Sequence, residues 1–359
     1  MSGYDASDLT GMMEKVTSGA TGALGNISMT GYSSDNLTSM VEKVTSGATG
    51  ALGNISMTGY DSTKLTSMVE KVTSGATGAL GKIEMSGYDA ADLTGMMEKV
   101  TAGATSALGN ISMTGYSSAN LTSMVEKVTS GATGALGNIS MTGFSSDNLT
   151  SMVEKVTSGA TGALGNISMT GYDASDLSGM VTKITSGATG ALGEIEMTGY
   201  SSDNITSMTS AITTSTTNSL GNITMEGFDK DNIPSDITSG ITTGSNAGLL
   251  LQPPMVKELI AVSTPTSDNT PFYIFSSSKA GKITYGGSCT SSDTSAIAGN
   301  NTITFTALSN GTYTDCTLYV TSSTDVKGGT LSVTSFTVVA NTTTTDNTTT
   351  TDNTTTTDN

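Results

Sequence analysis

Histidine, tryptophan and arginine are absent from the 359 residues, and the three gaps remove whole classes of function. Without histidine the chain lacks the usual acid–base group near neutral pH and the commonest nitrogen ligand for metals. A His-based nucleophilic triad is excluded, and no Gly-x-Ser-x-Gly occurs. Without arginine there is no bidentate phosphate reader, and the 14 lysines stand singly rather than in a basic stripe. Against 31 acids they leave a net charge of −17, which repels nucleic acids and anionic membranes. Long apolar runs are missing too. The most apolar short run, Ala247 to Leu251, falls far below the ~20 residues of a membrane span. No basic–apolar leader stands at the start, but Met1-Ser2-Gly3-Tyr4 enters a repeat in mid-register. That register suggests a fragment or an engineered chain, in which a missing leader is uninformative.

What is present is repetition. Glycine followed by an aromatic recurs at Tyr4, Tyr32, Tyr60, Tyr88, Tyr116, Phe144, Tyr172, Tyr200 and Phe228, every step equal to the one from Tyr4 to Tyr32. Leu37 to Thr58 reads the same as Leu121 to Thr142 and Leu149 to Thr170. A fixed period of this size marks a stacked array. Within a copy, Ile55-Ser56-Met57-Thr58 alternates as a half-buried strand does. Ser33-Ser34-Asp35 and Asp61-Ser62-Thr63 offer capping oxygens at a helix start. Leu37, Met40, Val41, Val44, Ala48, Ala51 and Leu52 then share one helical face, and Gly53 stops it. Gly47 and Gly50 each cost about 1 kcal/mol inside a helix, so close approach of neighbouring helices is the expected reason for them. The expectation is an α/β solenoid of 28-residue strand–helix repeats over residues 1–250. The last copies drift, with Met208-Thr209-Ser210-Ala211 replacing Met-Val-Glu-Lys and Pro234 entering, as a terminal cap does.

Residues 251–256, with Pro253-Pro254, read as a junction. From 257 to 340 the pattern is all-β, with runs at 272–275, 283–285, 302–305, 316–320 and 331–336 between Gly, Asn and Ser turns. The two cysteines, Cys289 and Cys316, both fall here. They read as one disulfide from an oxidising compartment, the alternative being two reduced core thiols. Thr264 to Pro271, Tyr273 to Ser277, Ala280 to Cys289 and Leu308 to Tyr313 resemble bacterial Ig-like modules. The resemblance implies an Ig-like β-sandwich and a surface or adhesin-like protein of bacterial type, with no catalytic residues to carry over. The 28-residue repeat is similar to arrays that accompany such modules. Residues 341–359 repeat Thr-Thr-Thr-Thr-Asp-Asn, a composition that buries no core and predicts a disordered spacer.

Candidate sites are few. Asp5/Asp8, Asp89/Asp92 and Asp173/Asp176 pair carboxylates where Ca²⁺ would find oxygen ligands, although helix capping explains the same acids without metal. Ser28/Thr30, Ser56/Thr58 and their equivalents would form a hydroxyl ladder if strands stacked, with a plain solvated sheet face as the simpler reading. The methionines from Met12 to Met208 recur at one register and read as core. Adjacent pairs such as Glu42 and Lys43 point apart on a helix and read as a solvated face. Ser276-x-x-Lys279 occurs without a Lys-Thr-Gly and reads as chance. The expected function is therefore non-catalytic structural display at a cell surface or outside the cell, with no cofactor, no metal and no nucleic-acid partner. An adhesin that binds a glycan or protein is the alternative, and self-association end to end is a third reading.

Overall fold

The computed structural model describes residues 6–24, 34–55, 61–83, 88–111, 116–139, 144–168, 171–195 and 202–340. They divide into two compact units, Met1–Met255 and Val256–Asn359.

The first unit is a helical array. Its helices are α1 (Ala6–Leu24), α2 (Ser34–Ala51), α3 (Ser62–Leu80), α4 (Ala90–Leu108), α5 (Ser118–Ala135), α6 (Ser146–Gly162), α7 (Leu177–Ala191), α8 (Ser202–Leu220) and α9 (Ser235–Leu251). One helix per copy follows from the apolar face and from the capping residues at its start. Asp61 accepts from the Thr63 and Lys64 amides at 3.0 Å, satisfying two of the orphan donors of α3.

Each helix packs mainly on the helix two copies away and only lightly on its sequence neighbour. Odd helices thus form one row and even helices another. One buried cluster joins the N-terminal halves of odd helices (Leu65, Val69, Leu121, Leu177) to the C-terminal ends of even ones (Leu52, Leu108, Leu164). A second joins the C-terminal ends of α3, α5 and α7 to the N-terminal halves of even helices. The two rows therefore run antiparallel, and the architectural unit is a pair of sequence copies.

This corrects the expected α/β solenoid. Among the described residues the array contains no strand, and the ninth copy runs through Ile223, Thr224 and Met225 as coil. In the other copies most of the expected strand lies outside the described residues, as do nearly all of the serines and threonines of the hydroxyl ladder. The physical reason is the alternation of rows: the C-terminal ends of consecutive helices fall at opposite ends of the rows, not in the single column that a ladder of strands requires. The apolar residue that opens the segment plugs the helix end instead. Ile83, Ile111 and Ile139 are buried in the two clusters.

The second unit carries strands β1 (Val256–Ile260), β2 (Phe272–Ser277), β3 (Gly281–Gly286), β4 (Ser295–Ala296), β5 (Gly299–Thr304), β6 (Gly311–Tyr313), β7 (Thr317–Ser322), β8 (Leu331–Ser332) and β9 (Phe336–Val338). They form three small sheets, ordered β1-β2-β5, β4-β3-β7-β8 and β6-β9, all antiparallel. The expected Ig-like sandwich of two facing sheets is corrected to this three-sheet arrangement. Four of the strands, β4, β6, β8 and β9, are only two or three residues long. Cys289 and Cys316 are bonded, with Cα atoms 5.1 Å apart. Tyr273, Phe275, Phe305 and Phe336 fill the core beside them.

Candidate functional site

The surface that recurs in every inner copy is the contact between same-row helices. On α3 the contact starts with Met68, Val72 and Ala76, all fully buried. Gly75 lies among them, and a Cβ there would sit 2.6 Å from the Glu14 carbonyl oxygen of α1. Gly131 meets the Glu70 carbonyl at 2.6 Å in the same way, and Gly103 meets that of Glu42 at 2.9 Å. Backbone cannot yield to a methyl group at such distances, so glycine is required. The second glycine of each copy is different. Gly22, Gly50, Gly78 and Gly162 face open space, and Ser106 already occupies the equivalent position in α4. The expectation of close approach holds at Gly75, Gly103, Gly131, Gly159 and Gly187, equivalents of Gly47, but not at Gly19 or Gly47 themselves, nor at Gly50 and its open-space equivalents.

Lysine and glutamate complete the contact at its solvent edge. Lys71 reaches Glu14 at 3.3 Å, Lys99 reaches Glu42 at 3.8 Å, and Lys127 reaches Glu70 at 3.1 Å. Lys155–Glu98 and Lys183–Glu126 follow at 2.9 Å. Adjacent Glu and Lys of one helix therefore serve different neighbours, one backward and one forward. The sequence pattern puts these charges on a solvated face and gives no sign of the pairing, because the partners belong to copies that are not consecutive. All these groups are partly exposed, so each pair contributes about 0–1 kcal/mol and sets register more than stability. An open groove along the odd row, lined by Glu14, Glu70, Lys71, Ser130 and Asn138, is built from this ladder. Its two carboxylates already have lysine partners.

The paired aspartates resolve as caps. The Asp89 carboxylate accepts from the Ala91 and Asp92 amides, and the Asp92 carboxylate accepts from the Asp89 amide at 3.1 Å. Asp173 and Asp176 repeat this reciprocal box, and hydrogen bonds from Ser175 hold the Asp173 carboxyl below its usual range. Asp8 lies in the first turn of α1, and Asp5 falls outside the described residues. Among the described residues no group of three or more acids or cysteines is placed to share a metal ion. The methionines Met68, Met96, Met124, Met152, Met180 and Met208 are fully buried in the core.

The repeat aromatic has a polar task that its spacing did not announce. Tyr88, Tyr116 and Tyr172 donate to the carbonyls of Leu80, Leu108 and Leu164, at 3.1, 2.8 and 2.9 Å. Each adds a second donor to a carbonyl at the end of the preceding helix that already accepts from the Ile83, Ile111 or Ile167 amide. Burial raises all three phenol pKa values well above the ordinary one, so the donors stay protonated.

In the second unit, Glu258 accepts from the Tyr273 hydroxyl at 2.8 Å and from the Thr334 amide at 2.9 Å, tying β1 to β2 and to the segment after β8. Burial pushes this carboxyl up, but the bonds from Thr334 and Tyr273 together hold it below its ordinary value. Ser276 lies in β2 and Lys279 in the turn after it, where the Lys279 carbonyl accepts from Ser277. No helix among the described residues is long and apolar enough to cross a membrane.

No protein-family model matches this chain, and no curated protein matches it. The resemblance of residues 264–316 to bacterial Ig-like modules thus rests on the motifs quoted above alone.

Proposed function

We propose that the chain is a non-catalytic structural element of a bacterial cell surface or extracellular matrix, in which the array acts as a stalk or scaffold. The observation that carries this reading is the use of the repeated surface. At five successive steps the same Lys–Glu pair closes the same contact, so the recurring side chains serve neighbouring copies rather than a substrate. Among the described residues, the groove on this face is open, and its carboxylates Glu14 and Glu70 are already paired with lysines. The disulfide supports an oxidising location, and the net charge of −17 supports solvation at high salt.

Single-molecule stretching tests this role. A load-bearing array built in two-copy units yields in steps of roughly 200 Å of extended chain and regains its length on relaxation. An array that unravels irreversibly at the lowest loads overturns the stalk reading. A glycan or protein array returning a saturable micromolar partner moves the assignment to an adhesin.

A further inference from the structure

From α3 to α7, one helix face is always seated on the same-row helix before it. On α1, nothing among the described residues is seated on that face. Met12 is 39 % exposed and Val16 62 %, where their equivalents Met68 and Val72 in α3 are fully buried. Gly19 and Ala20 are exposed on α1, as are Lys43 and Gly47 on α2. A Cβ at Gly19 or Gly47 meets no atom within 4 Å, although the equivalent Gly75 and Gly103 sit on carbonyl oxygens. Lys15 and Lys43 occupy the ladder positions of Lys71 and Lys99 but, among the described residues, have no carboxylate partner. The face is thus a complete half of the contact described above.

The opposite end of the array does not supply the other half. Ala211 stands where a lysine would meet Glu154, and Ser210 and Thr238 stand where α8 and α9 would project a glutamate onward. A second copy turned face to face would set Lys15 and Lys43 against its own lysines. Neither end of a second copy therefore offers the carboxylates.

We propose that α1 and α2 form a docking surface for a further helix pair of this same repeat, carrying glutamates at the positions of Glu14 and Glu42. The pair enters in the register that α1 holds on α3. Its carboxylates reach Lys15 and Lys43, and its helix carbonyls lie over Gly19 and Gly47. Growth of the stack is then one-directional, open at α1–α2 and closed at α8–α9. This depends on the repeat contact and not on the stalk role, so either reading can fail without the other.

The test supplies the pair covalently by placing a copy of residues 61–116 between Tyr4 and Asp5 of the full chain, which keeps the register. Amide hydrogen exchange of α1 and α2 is expected to slow at least tenfold, to the level of α3 in the parent. The double variant Gly19→Ala/Gly47→Ala should abolish that slowing in the lengthened chain, while the parent keeps its melting temperature or gains slightly. Unchanged exchange in α1 and α2, whether the added copy folds or not, overturns the proposal. So does a double variant that harms both chains equally. Light scattering that shows the parent to be a dimer, lost on Val16→Lys, would assign the face to a second copy instead.

Discussion

Among the described residues, the buried side chains of the array are mainly Leu, Val, Ile, Met, Ala and Thr, with no aromatic ring among them. The second unit instead stacks Tyr273, Phe305 and Phe336 at centroid distances of 5.9 and 6.0 Å. The main contacts of the array are copies of one another, made between helices two repeats apart. In the β unit each contact occurs once, and Glu258 reaches across 76 residues to Thr334. The difference is one of where stability is kept. The array spreads it thinly over many equal interfaces, so losing one interface leaves its neighbours intact. The β unit concentrates it in a few aromatic contacts and one covalent link, since short strands cannot hold a core by hydrogen bonds alone.

The largest test of that contrast removes the covalent link. Cys289→Ser/Cys316→Ser opens a loop of 27 residues' separation and should cost the β unit about 3–4 kcal/mol, while the array's melting stays in place. A common loss in both units, seen by calorimetry, would show that they do not store stability separately. Next comes the glycine pair within the array. Gly131→Ala drives a methyl group against the Glu70 carbonyl and should destabilise by about 2–3 kcal/mol. Gly78→Ala, in open space on the neighbouring odd helix, should stabilise by about 0.5–1 kcal/mol through lower unfolded-chain entropy. Denaturation midpoints that move the same way for both would break the argument from close approach.

A smaller effect compares copies directly. Phe144 stands where Tyr88, Tyr116 and Tyr172 make their carbonyl bonds. Phe144→Tyr should gain about 1 kcal/mol by bonding the Leu136 carbonyl, and Tyr116→Phe should lose about as much, both read from denaturation midpoints. The smallest expected effect is in acid. The Glu258 carboxyl is held below its ordinary 4.5, so its contribution is complete above that pH and is lost as pH falls through the lower folded value. The β unit should therefore lose melting temperature below about pH 4 more steeply in the parent than in Glu258→Gln. Equal slopes in the two proteins would remove Glu258 from the acid response.

Much of the array was legible residue by residue. The stripe of Leu37, Val41 and Val44, the capping oxygens at Asp61 and Asp89, and the drift at Ala211 all follow from local chemistry. The β-rich runs of the second unit were equally readable, and the cysteines were expected to bond. The strand expected of the Ile55-Ser56-Met57-Thr58 segment is absent in the ninth copy, at Ile223-Thr224-Met225, because so short an alternation is compatible with any extended connection. The tyrosine bonds were hidden because a ring at a helix start gives no sign of the carbonyl it will meet. The ladder partners were hidden for a stronger reason: copies that read alike leave their own pairing undetermined.

By itself, then, the sequence determines what each copy is: one capped amphipathic helix with a glycine notch, a Glu-Lys pair and an apolar plug after its end. It also determines that chemistry needing histidine is absent. Only the tertiary structure decides which copy each one touches. Near-identical repeats present the same face to the next copy in sequence and to the copy after it, so no side chain distinguishes the two. The choice falls to geometry. Consecutive helices turn back on one another and run antiparallel in separate rows, so only alternate helices lie parallel, with glycine over carbonyl and lysine beside glutamate.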